Sequence, residues 1–276
     1  MGNTGPGGGA IDNDTTLNIA NSTFYNNTGG TNGGGAIVNF GTTTLNQSTF
    51  SGNTSPYGAN IYNYTGFKLS MSMDIVAGGL VGNNCGGQAP ITDLGYNIDT
   101  GSSCGFSATN HSLPNTEPEL DALASNGGPT QTMALPAGSP AVDAIPPATP
   151  GCAGSTDQRG IARPQGTGCD IGAYELVVTT TSVLLPSNGA TLTGSTFLDA
   201  SASNATSVEF RLFGGTYGYA APVICTATLT LYGWLCYWNT MTVPNGSYVL
   251  VSESFNSTGS AFSLGGATIT VNNHRQ

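Results

Sequence analysis

Side chains able to perform catalysis are scarce in this chain of 276 residues. Asp and Glu number 15, Lys and Arg together number 5, and the two histidines are His111 and His274. A polysaccharide lyase needs a base beside an acidic Ca²⁺ site, yet Lys68 is the only lysine and no acidic cluster surrounds it in sequence. Neither histidine belongs to a recognisable Ser–His–Asp motif. We therefore expect no catalytic residue, no cofactor and no metal site.

The six cysteines have the clearest chemistry in the chain. None has the short Cys-x-x-Cys spacing of a zinc site, so disulfides are the simpler interpretation. Six cysteines permit 15 connectivities. We predict that neighbours in sequence form the pairs: Cys85 with Cys104, Cys152 with Cys169, and Cys225 with Cys236. Because disulfides persist in oxidising compartments, this predicts a secreted or cell-surface protein.

The net charge of −10 and the low charged fraction of 7% exclude several classes of partner. A nucleic-acid-binding protein needs a basic patch, and none is present, so we expect no nucleic acid. No apolar run reaches the length of a transmembrane helix. No signal peptide precedes the first repeat, and we expect an export signal and earlier repeats upstream of this sequence. We expect a monomer.

A repeat of 26 residues organises the first part of the chain. Residues 7–11 (Gly-Gly-Gly-Ala-Ile) recur as residues 33–37, and residues 22–24 (Ser-Thr-Phe) recur as residues 48–50. Such a period is typical of stacked supersecondary units. We predict about three coils of a parallel β-helix over residues 7–76, with three short strands in each coil. Three interior rows are expected: Ile11, Ile37 and Ile61; Ile19, Leu45 and Leu69; Phe24, Phe50 and Ile75.

Asparagines also recur in register, as Asn13, Asn39 and Asn63 and as Asn27 and Asn53. An Asn at a coil corner can adopt left-handed backbone angles and bond to neighbouring backbone groups. Stacked amides can also bond to each other along the helix. We interpret these residues as structural, and a ladder that contacts glycans is the alternative.

Two family resemblances support this fold. Gly-Gly-Ala-Ile at 8–11 and 34–37, with Phe-x-x-Asn at 24–27 and 50–53, resembles the polymorphic outer membrane protein repeat of bacterial surface proteins. Residues 74–175 resemble the choice-of-anchor Q domain in several motifs that agree in order: Asp-Leu-Gly-Tyr-Asn-Ile at 93–98, Asn-Gly-Gly-Pro-Thr at 126–130, Ser-Pro-Ala-Val-Asp at 139–143, and Cys-Asp-Ile-Gly-Ala-Tyr-Glu at 169–175. Met133 stands where that family leads us to expect His.

These resemblances imply a right-handed, single-stranded parallel β-helix over residues 1–176, here its C-terminal coils and a cap. Residues 113–170 are rich in Pro and Gly, and we expect them to cover the exposed end of the solenoid. Arg159 and Arg163 lie near several acidic residues in sequence, which predicts ion pairs and carbonyl contacts that fix this cap. A pocket that binds a carboxylate is the alternative.

A second pattern follows a predicted linker at residues 177–181. Over residues 182–273 short alternating strands are separated by turns, and Val208, Phe210 and Leu212 are expected to face inward. Leu-Pro-Ser-Asn-Gly-Ala at 185–190 and Val-Pro-Asn-Gly-Ser-Tyr at 243–248 resemble bacterial Ig-like domains, which implies an Ig-like β-sandwich. The chain is therefore predicted to be all-β. Cys225 and Cys236 are closer in sequence than the inter-sheet disulfide of antibody domains, so we expect them to cross-link a hairpin.

Four aromatic residues of this second region are candidates for stacking on sugar rings: Tyr232, Trp234, Tyr237 and Trp238. A core or interface role is the alternative, because aromatic residues most often bury their area. Cell-surface glycans or proteins are the partners that these residues would suit.

The sequence favours a non-catalytic structural or adhesive protein, secreted or at the cell surface. The alternative function is a carbohydrate-active β-helix enzyme, a polysaccharide lyase or glycoside hydrolase, whose active coils are degraded or lie outside this sequence. Inverting glycosidases place two carboxyl groups about 6.5 to 9.5 Å apart, but Asp12 and Asp14 have no acidic counterpart in the following coils. Residues 42–44 (Thr-Thr-Thr) suggest ice binding, which the other coils do not repeat.

Overall fold

The computed structural model describes residues 1–31, 33–81, 83–256 and 259–273. The chain forms two compact units, Met1–Leu176 and Val177–Gln276. The first is called the solenoid unit and the second the two-sheet unit.

The solenoid unit is built from short strands, most of them three or five residues long. They are β1 (Ile11–Asn13), β2 (Thr16–Ala20), β3 (Thr23–Tyr25), β4 (Ile37–Asn39), β5 (Thr42–Asn46), β6 (Thr49–Ser51), β7 (Ile61–Asn63), β8 (Lys68–Ser72), β9 (Ile75–Ala77), β10 (Cys85–Gly87), β11 (Thr92–Asp93), β12 (Ile98–Asp99) and β13 (Leu113–Pro114). A single turn of 3-10 helix lies at Ala108–Asn110.

These strands form three parallel sheets, ordered β1-β4-β7-β10, β11-β8-β5-β2 and β13-β12-β9-β6-β3. Each coil contributes one strand to each sheet, so the predicted parallel β-solenoid of about three turns is confirmed. The glycine runs before the first-sheet strands are needed sterically. A Cβ on Gly34 or Gly58 would collide with the carbonyl oxygen of Ile37 or Ile61, so only glycine allows these loops to pass so close to the strands.

The predicted interior rows are confirmed for the first two coils, but in the third coil other residues occupy two of the three rows. Ile11, Ile37 and Ile61 align as predicted. In the second row Leu45 is followed by Met71, because Leu69 pairs with Thr43. The cause is the loop before β8, which has four residues (64–67) where the preceding coil has two (40–41).

The third row ends similarly in Val76, because Ile75 aligns with Thr49 rather than with Phe50. The rings of Phe24 and Phe50 stack at 4.8 Å with nearly parallel planes. Ile75 therefore faces away from the solenoid interior, and it joins the flanking apolar core described below.

The asparagine series forms hydrogen-bonded ladders. The amide nitrogen of Asn13 donates to Oδ1 of Asn39, and that of Asn39 donates to Oδ1 of Asn63, both at 2.9 Å. The predicted left-handed backbone angles are wrong for these residues, since they are the last residues of β1, β4 and β7. Left-handed angles occur instead at the corner between the second and third sheets, at Asn21, Gln47, Met73 and Tyr96.

A second buried ladder runs from Asn27 towards the C-terminal coils. Side-chain amides donate from Asn27 to Asn53 (2.8 Å), Asn53 to Asn60 (2.7 Å), Asn60 to Asn84 (3.0 Å) and Asn84 to Asp99 (2.7 Å). Buried polar groups are tolerated only when they are paired. The ladder ends in a carboxylate, which only accepts and therefore completes the series without needing another acceptor.

Apart from β13, which extends the third sheet, residues 113–170 do not cover the end of the solenoid as predicted. They pack along the outer face of the third sheet, where Ile75 and Ile98 share an apolar core with Leu135, Ile145 and Ile171. The end of the interior is covered instead by the Cys85–Cys104 disulfide and Phe106. The outward-facing Ile75 requires this lateral cover, since an exposed apolar row would otherwise meet water.

The two-sheet unit begins with a strand at Thr180, inside the range 177–181 that was predicted as a linker. Its strands are β14 (Thr180–Leu185), β15 (Ala190–Leu192), β16 (Ser195–Ser203), β17 (Ser207–Phe213), β18 (Val223–Thr226), β19 (Thr228–Thr230), β20 (Gly233–Asn239), β21 (Gly246–Asn256), β22 (Gly259–Phe262) and β23 (Ala267–Val271). A 3-10 turn lies at Thr240–Thr242.

One sheet of this unit is antiparallel, with the order β14-β16-β20-β19. The other is mixed, with the order β15-β23-β21-β17-β18 and β22 paired to β21. The two sheets share one apolar core, to which Leu198 and Trp238 contribute from the first sheet and Phe210 and Leu250 from the second. Val208, Phe210 and Leu212 all face this core, as predicted.

Candidate functional site

Asp12, Asp74 and Asp99 of the coils serve the fold. Asp74 and Asp99 are fully buried, and both accept hydrogen bonds from backbone N–H groups. Burial raises the pKa of Asp74 well above its usual value, although bonds from Ser48 and Ser72 partly oppose this. Asp12 aligns with Val38, as predicted, and accepts a bond from the backbone N–H of Gly8.

Lys68 lies apart from the acidic residues. It is exposed at the start of β8 and is in register with Thr42 and, one coil further, Thr16. Its row therefore contains no carboxylate. Within the described ranges, no three His, Cys, Asp or Glu side chains come together in a way that could hold a metal ion.

Of the two histidines, the described residues include His111, whose side chain makes no hydrogen bond to a carboxylate there. His111 stacks on the ring of Tyr96, with 5.2 Å between ring centroids. His274 lies outside the described residues.

The ion pairs predicted for Arg159 and Arg163 are present and buried. The Arg163 guanidinium contacts the Glu175 carboxylate at 2.8 Å and donates to the carbonyl oxygens of Asp170 and Gly172. Arg159 pairs with Asp157 at 2.7 Å and lies over the ring of Tyr174, 3.6 Å from its centroid. Carboxylates and carbonyl groups of the chain itself bind both guanidinium groups. The two arginines therefore form a structural centre and not an open pocket for a carboxylate ligand.

Burial of this centre perturbs the acids around it. Desolvation and the nearby charge of Glu175 raise the pKa of Asp170 to about 7. Desolvation likewise raises the pKa of Glu175, against the opposing effects of the Asp170 backbone N–H and Arg163. These shifts follow from removing carboxylates from water more than from any catalytic geometry.

Raised carboxyl pKa values predict that the solenoid unit loses stability as pH rises. Between about pH 4 and pH 7 folded Asp170 holds a proton that the unfolded chain has released, so the free energy of unfolding should fall across this interval. The raised pKa values of Asp74 and Glu175 also make the free energy of unfolding fall as pH rises. The lowered pKa of Asp93 acts oppositely, and only as the pH falls below about 4.

Urea unfolding at pH 5 and pH 7.5, followed by hydrogen exchange of residues 113–176, measures this dependence. Asp14→Asn is the control for removing a carboxylate, because Asp14 is exposed. A free energy of unfolding that increases from pH 5 to pH 7.5 would contradict the assignment.

The three predicted cysteine pairs are all disulfide-bonded: Cys85–Cys104, Cys152–Cys169 and Cys225–Cys236. The expectation that the third cross-links a hairpin is wrong. Cys225 lies on β18 in the mixed sheet, whereas Cys236 lies on β20 in the antiparallel sheet. The chain passes from one sheet to the other at Ala227, between β18 and β19, so the short separation of 11 residues still spans two sheets.

The four candidate aromatic residues divide into two pairs. Trp234 and Trp238 are only 8% and 2% exposed and belong to the core, so they cannot stack on a ligand. Tyr237 is 63% exposed and Tyr232 is 84% exposed. The two-residue period of β20 explains this division, because Trp234, Cys236 and Trp238 point inward together.

Sequence reasoning missed the residue that pairs with Tyr237. Phe197 is 58% exposed on β16, directly opposite Tyr237, with 4.9 Å between ring centroids. Leu185, Asp199 and Leu235 form the adjacent row across the same side of the sheet. We call these five residues the aromatic face. Alternation beside buried Leu198 could have indicated that Phe197 points outward.

The solenoid unit has aromatic clusters of its own. Phe40 stacks on Tyr64 at 4.4 Å, and Tyr62 and Phe67 contact this pair edge-on. Phe40, Tyr62 and Tyr64 are half-buried. They therefore pack the loops before β5 and β8 against each other and offer little ring surface to a ligand.

A groove lies at the C-terminal end of the first sheet of the solenoid. Its volume is about 650 Å³, and β10, residues 88–91 and the loop at 103–105 line it together with Tyr57.

In the described structure, no helix is long and apolar enough to span a membrane.

Comparison with known proteins gives little. No protein-family model and no curated relative matches the chain. Solved structures that match include an engineered protein (14% identity, TM-score 0.26, 41% of this chain and 22% of that one) and the endo-β-1,4-mannanase from Thermotoga petrophila (15% identity, TM-score 0.28, 45% and 30%). The chain spans less than a third of either protein, and similarities this small carry no argument about fold or activity.

Proposed function

We propose that this chain is a non-catalytic structural or adhesive protein, secreted or exposed at a cell surface, that contacts glycans or proteins of neighbouring surfaces. In this proposal the solenoid is a right-handed β-helix of the choice-of-anchor Q type, and the two-sheet unit is Ig-like. The motifs at 93–98, 126–130 and 169–175 support the first assignment.

A tyrosine hydrogen bond supports the Ig-like assignment. Tyr248 lies near the start of β21, is buried, and donates its hydroxyl to the carbonyl oxygen of Pro244 at 2.8 Å. Ig-like sandwiches use such a bond to a backbone group a few residues upstream. The three disulfides support an oxidising location outside the cell.

The observation that carries the adhesive role is the aromatic face. Phe197 and Tyr237 lie side by side and exposed on a sheet that a core and a disulfide hold rigid. Aromatic rings offer large contact area at low entropic cost and stack on the apolar faces of sugars and on apolar side chains. The phenol of Tyr237, which is 63% exposed, adds a polar group beside them.

Engagement of five of the 15 acidic residues in the fold supports a non-catalytic role. Asp74, Asp99, Asp157, Asp170 and Glu175 are all buried and bonded to backbone N–H groups or arginines. A glycosidase or lyase would need carboxylates open to a groove, and no observation favours the enzymatic alternative.

The double replacement Phe197→Ala with Tyr237→Ala is expected to weaken binding to a glycan array or to whole cells by about tenfold or more, because both stacking surfaces are removed. Tyr219→Ala is the matched control, since Tyr219 is 98% exposed in the same unit but lies outside the aromatic face. Tyr219→Ala should bind like the parent chain, and if the double variant also bound as tightly as the parent chain, the aromatic face would not be the binding surface.

A further inference from the structure

The groove at the end of the first sheet lies at a free strand edge. β10 is the terminal strand in the order β1-β4-β7-β10, so its outer edge has no strand partner in the described structure. The loop carrying Ser103 and Cys104 crosses beside this edge, held by the disulfide to Cys85. On the other side Tyr57 lies so close that a Cβ on Gly86 would collide with its carbonyl oxygen.

The free edge is not arranged to accept another strand. The backbone N–H of Cys85 already donates to Oγ of Ser103 at 3.1 Å, and β10 is only three residues long. Strand addition depends on a row of open N–H and C=O groups. The groove therefore suits a compact ligand better than an extended peptide.

The side chains around the groove are polar but uncharged. No Asp, Glu, Lys, Arg or His lines it. Asn83 and Gln88 are exposed, and within the described part of the chain their side chains make no hydrogen bond, so both amides are free to bind. Tyr57 is 57% exposed at the rim and provides a ring face.

From this arrangement we propose that the groove binds a neutral saccharide. Amide groups can donate to and accept from sugar hydroxyls, and the Tyr57 ring can stack on the apolar face of a pyranose. The volume of about 650 Å³ is within the range of about 300 to 1,000 Å³ that is usual for ligand pockets. Anionic sugars are disfavoured, since the lining has no cation and the chain carries a net charge of −10.

This site lies in the solenoid unit and is independent of the aromatic face, so the two proposals can fail separately. The test is titration of the full chain with glucose, galactose, mannose, N-acetylglucosamine, cellobiose and galacturonic acid, observed by ligand NMR and calorimetry. At least one neutral sugar should bind, and Tyr57→Ala and Gln88→Ala should each weaken that binding by about tenfold. Galacturonic acid should bind more weakly than galactose.

Tyr219→Ala is the control, and it should leave this binding unchanged, because Tyr219 is exposed and belongs to neither proposed site. Because Tyr57 and Gln88 are exposed, their variants should fold, which thermal unfolding verifies. The proposal is overturned if none of the neutral sugars binds, if Tyr57→Ala binds like the parent chain, or if galacturonic acid binds as well as galactose.

Discussion

Replacing Arg163 by methionine should lower the free energy of unfolding of the solenoid unit by about 3 to 5 kcal/mol. The guanidinium is without solvent exposure and bonds to Glu175 and to the carbonyl oxygens of Asp170 and Gly172. Methionine retains much of the apolar volume, but it leaves the buried Glu175 carboxylate without its cationic partner and two carbonyl groups without the guanidinium donor, although backbone N–H groups still donate to Glu175. Removing one partner of a buried pair is costly for this reason.

Hydrogen exchange of residues 113–176 under increasing urea measures this loss. Both tryptophans lie in the two-sheet unit, so tryptophan fluorescence follows that unit separately and should be unchanged. Arg163→Lys should lose less than Arg163→Met, because lysine retains the charge but cannot reproduce the planar fork of donors. A loss below about 1 kcal/mol, the value of an exposed pair, would contradict the burial of this centre.

Replacing Asn53 by alanine should destabilise the solenoid unit by a similar amount, about 3 to 5 kcal/mol, because each unpaired buried group costs about 1 to 3 kcal/mol. Its side chain accepts from the backbone and side-chain amides of Asn27, both at 2.8 Å, and donates to the carbonyl oxygen of Phe24 and to Asn60. Asn53 has no solvent exposure, so water cannot replace these bonds.

Asn18→Ala is the matched control, because Asn18 is exposed on β2 and its side chain points away from the interior. It should change the free energy of unfolding by less than about 0.5 kcal/mol. Far-UV circular dichroism in urea, with tryptophan fluorescence as the internal reference, compares the two variants. Equal losses from Asn18→Ala and Asn53→Ala would show that the ladder contributes nothing specific.

The repeat could be predicted because its period is carried by the interior residues themselves. Ile11 and Ile37 follow the same Gly-Gly-Gly-Ala run, and Ile61 follows its shortened form Gly58-Ala59-Asn60, so a local motif indicated their alignment. Leu69 was misplaced because the third coil is shorter before Ile61 and longer after Asn63. Both Leu69 and Met71 are apolar and alternate correctly, so hydropathy alone could not choose between the two registers.

Long-range packing was harder to predict than local alternation. Composition indicated that residues 113–170 form a covering layer, but not which surface they cover. The decisive residue is Ile75, whose outward direction became clear only from its alignment with Thr49. Likewise, the separation of Cys225 and Cys236 suggested a hairpin, because the crossing at Ala227 has no Gly or Pro to mark it.

The candidate binding residues were predicted in part. Aromatic composition indicated the right strand, β20, and its alternation separates Tyr237 from the buried Trp234 and Trp238. Phe197 required knowledge of the strand pairing, because it lies 40 residues before Tyr237 in the chain. The groove beside Tyr57 has no sequence signal, since its lining comes from three separate segments.

Binding without turnover is the central claim, and one measurement tests it most directly. The full chain and the Phe197→Ala, Tyr237→Ala double variant are incubated with immobilised neutral and acidic polysaccharides, and bound protein and new reducing ends are quantified in the same samples. We predict retention of the parent chain, a loss of about tenfold or more in the variant, and no reducing ends in either. Equal retention of both chains, or release of reducing ends by the parent chain, would contradict the account.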